Sequence, residues 1–147
     1  LAGRWMEPGV IKFQCDVGPT DEQSQFRHFS WTFQMSVPGG GLLVRTNALD
    51  FEAPETGYVE KIEEIEKQTD GTRKDAFNGD FFVKFRNPPR YGRIQVQFVP
   101  YRIENYKSSV VNMKYWVNPS GSRNLEADPA KFLDQIPRHY LRSGLPK

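Results

Sequence analysis

Hydrophobic and polar residues alternate with period two over much of the chain, the pattern that sends successive side chains to opposite faces of a β-strand. In residues 26–37, Phe29, Trp31, Phe33, Met35 and Val37 fall on one face, and His28, Ser30, Thr32, Gln34 and Ser36 on the other. A slip of one residue would put those five apolar groups in water, so this register is tightly specified. Residues 10–17 repeat the pattern with Ile11, Phe13, Cys15 and Val17 against Lys12, Gln14 and Asp16. Pro38-Gly39-Gly40-Gly41 then breaks the chain, and Leu42 to Thr46 reads as the next strand.

Further on, Phe81, Val83 and Phe85 alternate with Phe82, Lys84 and Arg86, and Asn87-Pro88-Pro89-Arg90-Tyr91-Gly92 supplies a turn. Ile94, Val96 and Phe98 alternate with Arg93, Gln95 and Gln97 in a run that continues to Ile103 through Pro100. Proline donates nothing to a ladder, so Pro100 marks an edge, a bulge or a crossing between sheets. Val111, Met113, Tyr115 and Val117 then alternate with Val110, Asn112, Lys114 and Trp116.

Two stretches depart from simple alternation. In residues 58–68, Val59, Ile62 and Ile65 stand among glutamates and lysines, a spacing that suits a short amphipathic helix and equally a charged edge strand; propensity favours the helix. Asp128-Pro129 is a helix-start signature, Phe132, Leu133 and Ile136 form an apolar stripe behind it, and Pro137 ends it. Residues 48–57 and 68–79 read as loops, and 138–147 as a basic tail. The pattern predicts an all-β protein: one antiparallel β-sandwich over residues 1–147, jelly-roll or immunoglobulin-like, with six to eight strands and a short C-terminal helix.

Composition narrows the partners. The 147 residues suffice for one buried core, and an aromatic share of 14 % excludes a disordered tail. No apolar run reaches the roughly 18 residues that a membrane-crossing helix needs. Lys and Arg number 20 against 18 Asp and Glu, a net charge of +2 with the signs mixed along the chain. Arg86, Arg90, Arg93, Arg102 and Lys107 interleave with Tyr91, Tyr101 and Tyr106, the vocabulary of a single-strand nucleic-acid groove. So small a charge excess argues against nucleic acid as the partner. A lone cysteine, Cys15, excludes an internal disulfide and leaves the compartment open.

No motif names a reaction. Cys15 lies on an apolar strand face, where a thiol packs rather than reacts. His28 reads as a solvated strand residue, and nothing in sequence sets a nucleophile beside it or beside His139. Asp50 with Glu52, Glu63 with Glu64, and Asp75 with Asp80 supply carboxylates without showing the cleft that hydrolysis requires. Asp75, Asn78 and Asp80 form a calcium candidate, with the oxygen donors present and EF-hand spacing absent; no other cofactor is indicated.

The informative anomaly is aromatic residues at polar positions. Trp116 shares its face with Asn112 and Lys114, Phe82 lies opposite Phe81 and Phe85, and Tyr101 and Tyr106 flank a loop. Either another element covers these rings, the C-terminal helix being the candidate for Trp116, or a ligand or partner protein does. The leading expectation is a non-catalytic module that binds carbohydrate through Trp116, Asn112 and Lys114, aided by Tyr101 and Tyr106. Such a module would be an accessory domain of a larger secreted or surface protein, outside the cytoplasm. The alternatives are a structural or assembly domain contacting other protein chains and, behind it, a carboxylate-based hydrolase.

Overall fold

In a computed structural model of the chain, the described residues are 9–20, 29–67, 74–86, 88–103, 106–118 and 120–126. They form seven strands: β1 (Lys12–Thr20), β2 (Phe29–Ser36), β3 (Gly41–Val44), β4 (Lys61–Glu66), β5 (Phe77–Phe85), β6 (Arg90–Ile103) and β7 (Tyr106–Val117). All pairings are antiparallel, in a three-stranded sheet β1-β2-β4 and a four-stranded sheet β3-β5-β6-β7. The two sheets pack face to face as a β-sandwich. The helix expected near residues 128–136 and the basic tail lie outside the described residues. Among those described, no helix is long and apolar enough to cross a membrane.

The inner faces are the apolar faces of the alternating pattern. Phe29, Trp31, Phe33, Met35 and Val37 meet Leu42, Phe81, Val83, Phe85, Ile94, Val96 and Phe98, all buried. Phe33 sits at the centre, its ring centroid 5.0 Å from those of Phe77 and Phe98 and 6.1 Å from that of Phe13. Trp31 meets Phe98 edge-on at 5.3 Å, and its indole N–H donates to the Lys74 carbonyl at 3.1 Å. Full burial of one such side chain contributes roughly 1.5–3 kcal/mol, so this cluster carries much of the stability.

Residues 61–66 are strand, which corrects the helical preference inferred for 58–68. β4 runs along the free edge of β2, from Trp31↔Glu66 to Ser36↔Lys61. Helix spacing would have placed Ile62 and Ile65 on one stripe. Here Ile62 packs on the core while Ile65 points outward, 50 % exposed. The unpaired backbone groups of β2 and the Gln34–Glu63 cross-strand hydrogen bond outweigh a small propensity difference. The charged side chains of β4 then protect the sheet edge it forms.

Pro100 takes the edge option. β6 pairs with β7 in unbroken register from Gly92↔Val117 to Ile103↔Tyr106, Pro100 facing Ser109. The β5 ladder ends at Phe77↔Phe98, so among the described residues no strand pairs with that side of β6 beyond Phe98, and a missing N–H costs little there.

A second, smaller core lies on the outer face of the four-stranded sheet. Ala53, Phe82, Tyr91 and Leu125 are buried together, with Leu43 and Tyr58 against them. Burial pushes the Tyr58 phenol far above its ordinary pKa, Tyr91 adding to the shift and Arg123 opposing it. The cover comes from two loops laced to each other: Ala53 N–H donates to the Arg123 carbonyl at 2.9 Å, and Leu125 N–H to the Phe51 carbonyl at 2.8 Å. These loops cover one half of the outer face. The other half is the candidate site.

Candidate binding face

Antiparallel pairing converts three sequence stretches into rows across β5, β6 and β7. Phe82, Arg93 and Trp116 form one row; Asp80, Gln95 and Lys114 the next; Asn78, Gln97 and Asn112 the third. Neighbouring rows lie two residues apart along each strand, about 7 Å. The second and third rows floor a shallow depression of about 710 Å³, lined by Asn78, Asp80, Gln95, Gln97, Asn112 and Lys114.

Hydrogen bonds fix that floor. Asn112 Nδ2 donates to Gln97 Oε1 at 3.3 Å, and Gln97 Nε2 donates to Asn78 Oδ1 at 3.1 Å. In the adjoining row Gln95 Nε2 donates to Asp80 Oδ2 at 3.2 Å. Each amide leaves further donors and acceptors toward solvent, because an amide group offers two of each.

Asp80 is also gripped from the side. Arg45, buried just beyond the end of β3, donates from Nε to Oδ1 at 2.9 Å and from Nη2 to Oδ2 at 2.6 Å. Its Nη1 donates to the Ala48 carbonyl at 2.8 Å and the Asp50 carbonyl at 3.1 Å, tying down the loop that leads to Phe51. Burial alone would push the Asp80 carboxyl up. Hydrogen bonds from Arg45 and Gln95, with the charges of Arg45 and Arg93, outweigh it and hold the group below the usual carboxylate range.

The row next to the depression, Phe82–Arg93–Trp116, carries a stack. The Arg93 guanidinium carbon lies 4.1 Å from the Trp116 ring centroid and 5.0 Å from that of Phe51. Arg93 Nε is buried and, among the described residues, has no hydrogen-bond partner. Burial, then the charge of Arg45, lower the Arg93 pKa from its ordinary value, with Asp80 opposing.

Trp116, Lys114 and Asn112 therefore stand on one face, in consecutive outward positions of β7. Trp116 is half-buried, one side of its indole taken by Arg93. Tyr101 shares the outward register of β6 and is 48 % exposed, but it lies four residues past Gln97, about 13 Å beyond the amide rows. The backbone of Tyr106 pairs with Ile103 at the hairpin end; its side chain lies outside the described residues, as do Trp5, His28 and His139.

Of the calcium candidates, Asp75 precedes β5 and is exposed, whereas Asn78 and Asp80 belong to the rows described above. Of the five basic residues, Arg93 is outward on β6 and Arg90 holds a position of the opposite register at its start; the side chains of Arg102 and Lys107 lie outside the described residues. Among other carboxylates, Glu63 accepts from Gln34, Glu64 pairs with Lys74, and Glu52 and Glu55 pair with Arg123. Cys15 packs beside the core; burial pushes its thiol up, Ser109 and Asp16 making smaller, opposing contributions.

Sequence alone missed Gln95, Gln97, Arg45 and Phe51 as members of the site. The two glutamines carried a signal, an outward polar run beside Arg93, but only the β6–β7 register brings them to Asn112 and Lys114. Arg45 and Phe51 carried none, since a loop delivers one to Asp80 and the other to Arg93.

Searches with protein-family models, against curated protein sequences and against solved structures found no match to this chain.

Proposed function

We propose that the domain is a non-catalytic carbohydrate-binding module whose ligand lies across the amide rows, with Trp116 at one end. The observation that carries this reading is the hydrogen-bonded row Asn78–Gln97–Asn112 with the adjoining Asp80–Gln95 pair, Lys114 standing next to Gln95 in the sheet register. Sugar hydroxyls donate and accept at once, and so do side-chain amides held in fixed orientation. A pyranose ring presents an apolar C–H face that suits the exposed part of an indole. The shallow, open depression favours a segment of polysaccharide over an enclosed small molecule. As an accessory domain, the module would keep a larger secreted or surface protein on its polymer.

The test is titration with a panel of neutral and acidic polysaccharides, read by calorimetry and by tryptophan fluorescence. Saturable binding by at least one member, abolished by Trp116→Ala in a folded protein, is the expected result. No binding across the panel would overturn the reading.

A role in protein assembly has its own supporting observation. Met113 and Tyr115, on the inward register of the edge strand β7, are 39 % and 63 % exposed, which suits contact with another chain. Sedimentation showing concentration-dependent association without a sugar response would favour that alternative.

A further inference from the structure

We infer that the ligand of this face is anionic: an acidic polysaccharide whose carboxylate or sulfate groups are received by Arg93 and Lys114. The inference rests on the carbohydrate reading and adds the charge of the ligand to it.

The argument comes from which cations around the face are already matched. Arg45 is committed to both oxygens of Asp80 and to loop carbonyls, with the charge of Asp50 also nearby. Arg123 is paired with Glu52 and Glu55. Lys84 donates to the Glu55 carbonyl at 2.8 Å and lies over the rings of Tyr58 and Tyr91. Arg93 and Lys114 are the exceptions: among the described residues neither forms an ion pair or a hydrogen bond, although the charge of Asp80 is felt at Arg93.

These two unmatched cations are adjacent. Arg93 stands opposite Trp116, and Lys114 occupies the next outward position of β7, opposite Gln95. The guanidinium lies close to the rings of both Trp116 and Phe51, contacts that restrict it before any ligand arrives. A planar fork suits a carboxylate or sulfate ester, while an exposed ammonium adds attraction without geometric demand. Asp80, the carboxylate whose charge acts on Arg93, has both oxygens already bonded to Arg45. An anion bound where the depression meets the Arg93–Trp116 row would meet two positive groups and, beside them, amides able to bind ring hydroxyls. Nucleic acid would call for a continuous basic track and several exposed rings. The placement of Arg90 in the opposite register, and the amide-rich floor, favour the sugar.

The test uses matched pairs that differ in charge: polygalacturonate against its methyl ester, and a sulfated galactan against the same galactan desulfated. The first pair reports carboxylate recognition and the second sulfate. A dodecamer of thymidylate and the neutral polysaccharides complete the panel. The expected result is at least tenfold tighter binding of one charged member than of its neutral counterpart. That preference should shrink on raising salt from 50 to 500 mM, fall roughly threefold or more in Lys114→Gln, and vanish in Arg93→Gln. Lys114 is exposed, so its variant tests the idea even where Arg93→Gln perturbs packing. Equal binding within both pairs, or binding confined to neutral sugars, would overturn the inference and leave the carbohydrate reading in place. Failure of every saccharide, or tighter capture of the oligonucleotide than of any sugar, would overturn both.

Discussion

Arg45 and Asp80 form a two-pronged ion pair, at 2.9 and 2.6 Å, that fastens the chain just after β3 to the middle of β5. The arginine side chain is 2 % exposed and that of Asp80 26 %. Removing one partner from such a pair leaves the other uncompensated, which costs more than the intact pair contributes. Asp80→Ala should therefore destabilise the domain by about 2–4 kcal/mol, measured by urea unfolding, below the upper limit for a fully sealed pair. It should also weaken ligand binding, because Arg45 anchors the loop carrying Phe51. Destabilisation under about 0.5 kcal/mol would show that the contact is incidental.

The same pair implies a direction for acid sensitivity. The Asp80 carboxyl titrates below its unfolded value of 3.8, since hydrogen bonds and nearby cations outweigh the upward push of burial. A depressed carboxylate contributes stability that is fully present above the unfolded value and lost as pH falls through the folded one. Unfolding free energy should therefore drop on acidification below about pH 4. Asp80→Asn should flatten that part of the profile, while leaving the protein less stable at neutral pH. An unchanged acid limb in Asp80→Asn would assign the acid sensitivity to other groups.

Two tryptophans should respond differently to truncation. Trp31, 3 % exposed, packs against Phe98 and bonds the Lys74 carbonyl, so Trp31→Ala should cost about 3–5 kcal/mol. Trp116 is half-buried and stacked on Arg93, so Trp116→Ala should cost about 1–2 kcal/mol. Loss of ligand binding should accompany the second change at temperatures where the variant remains folded. Equal destabilisation by the two would mark Trp116 as a packing residue and remove it from the site.

Cys15 should behave as an inert thiol. Its position against the core and its raised pKa keep it protonated at neutral pH, and the thiolate is the reactive form. Alkylation by iodoacetamide at pH 7.5 should be at least tenfold slower in the folded protein than in urea. Comparable rates would contradict the half-buried placement.

The strands were legible where one sheet face is buried and the other is not, as in Phe29 to Val37, because register there is fixed by large apolar groups alone. Legibility failed at β4. Ile62 and Ile65 fit a helical stripe, and only the free edge of β2 decides for strand. It failed again at Phe82, whose outward ring was an anomaly in sequence and is buried by loops from residues far along the chain. Trp116, Lys114 and Asn112 could be grouped because they alternate within one strand. Their partners Gln95 and Gln97 required the β6–β7 register, and Arg45 and Phe51 required loop paths that no periodicity encodes.

Gly92 links the fold to the site. It pairs with Val117 on the inward side of the β6–β7 ladder, and a Cβ there would lie 2.6 Å from the Trp116 carbonyl oxygen and 3.0 Å from Val83 Cγ1. The first neighbour is backbone, so relief requires β7 to move away from β6 rather than a side chain to rotate. Gly92→Ala should destabilise the domain by about 1–3 kcal/mol, the usual range for overpacking. It should also weaken ligand binding more than a surface change such as Lys61→Ala, since Trp116 and Lys114 would shift with the strand. Adding Val83→Ala should not restore binding, because the carbonyl clash would persist. Restoration by that second change would place the conflict in the core and leave the path of β7 undisturbed.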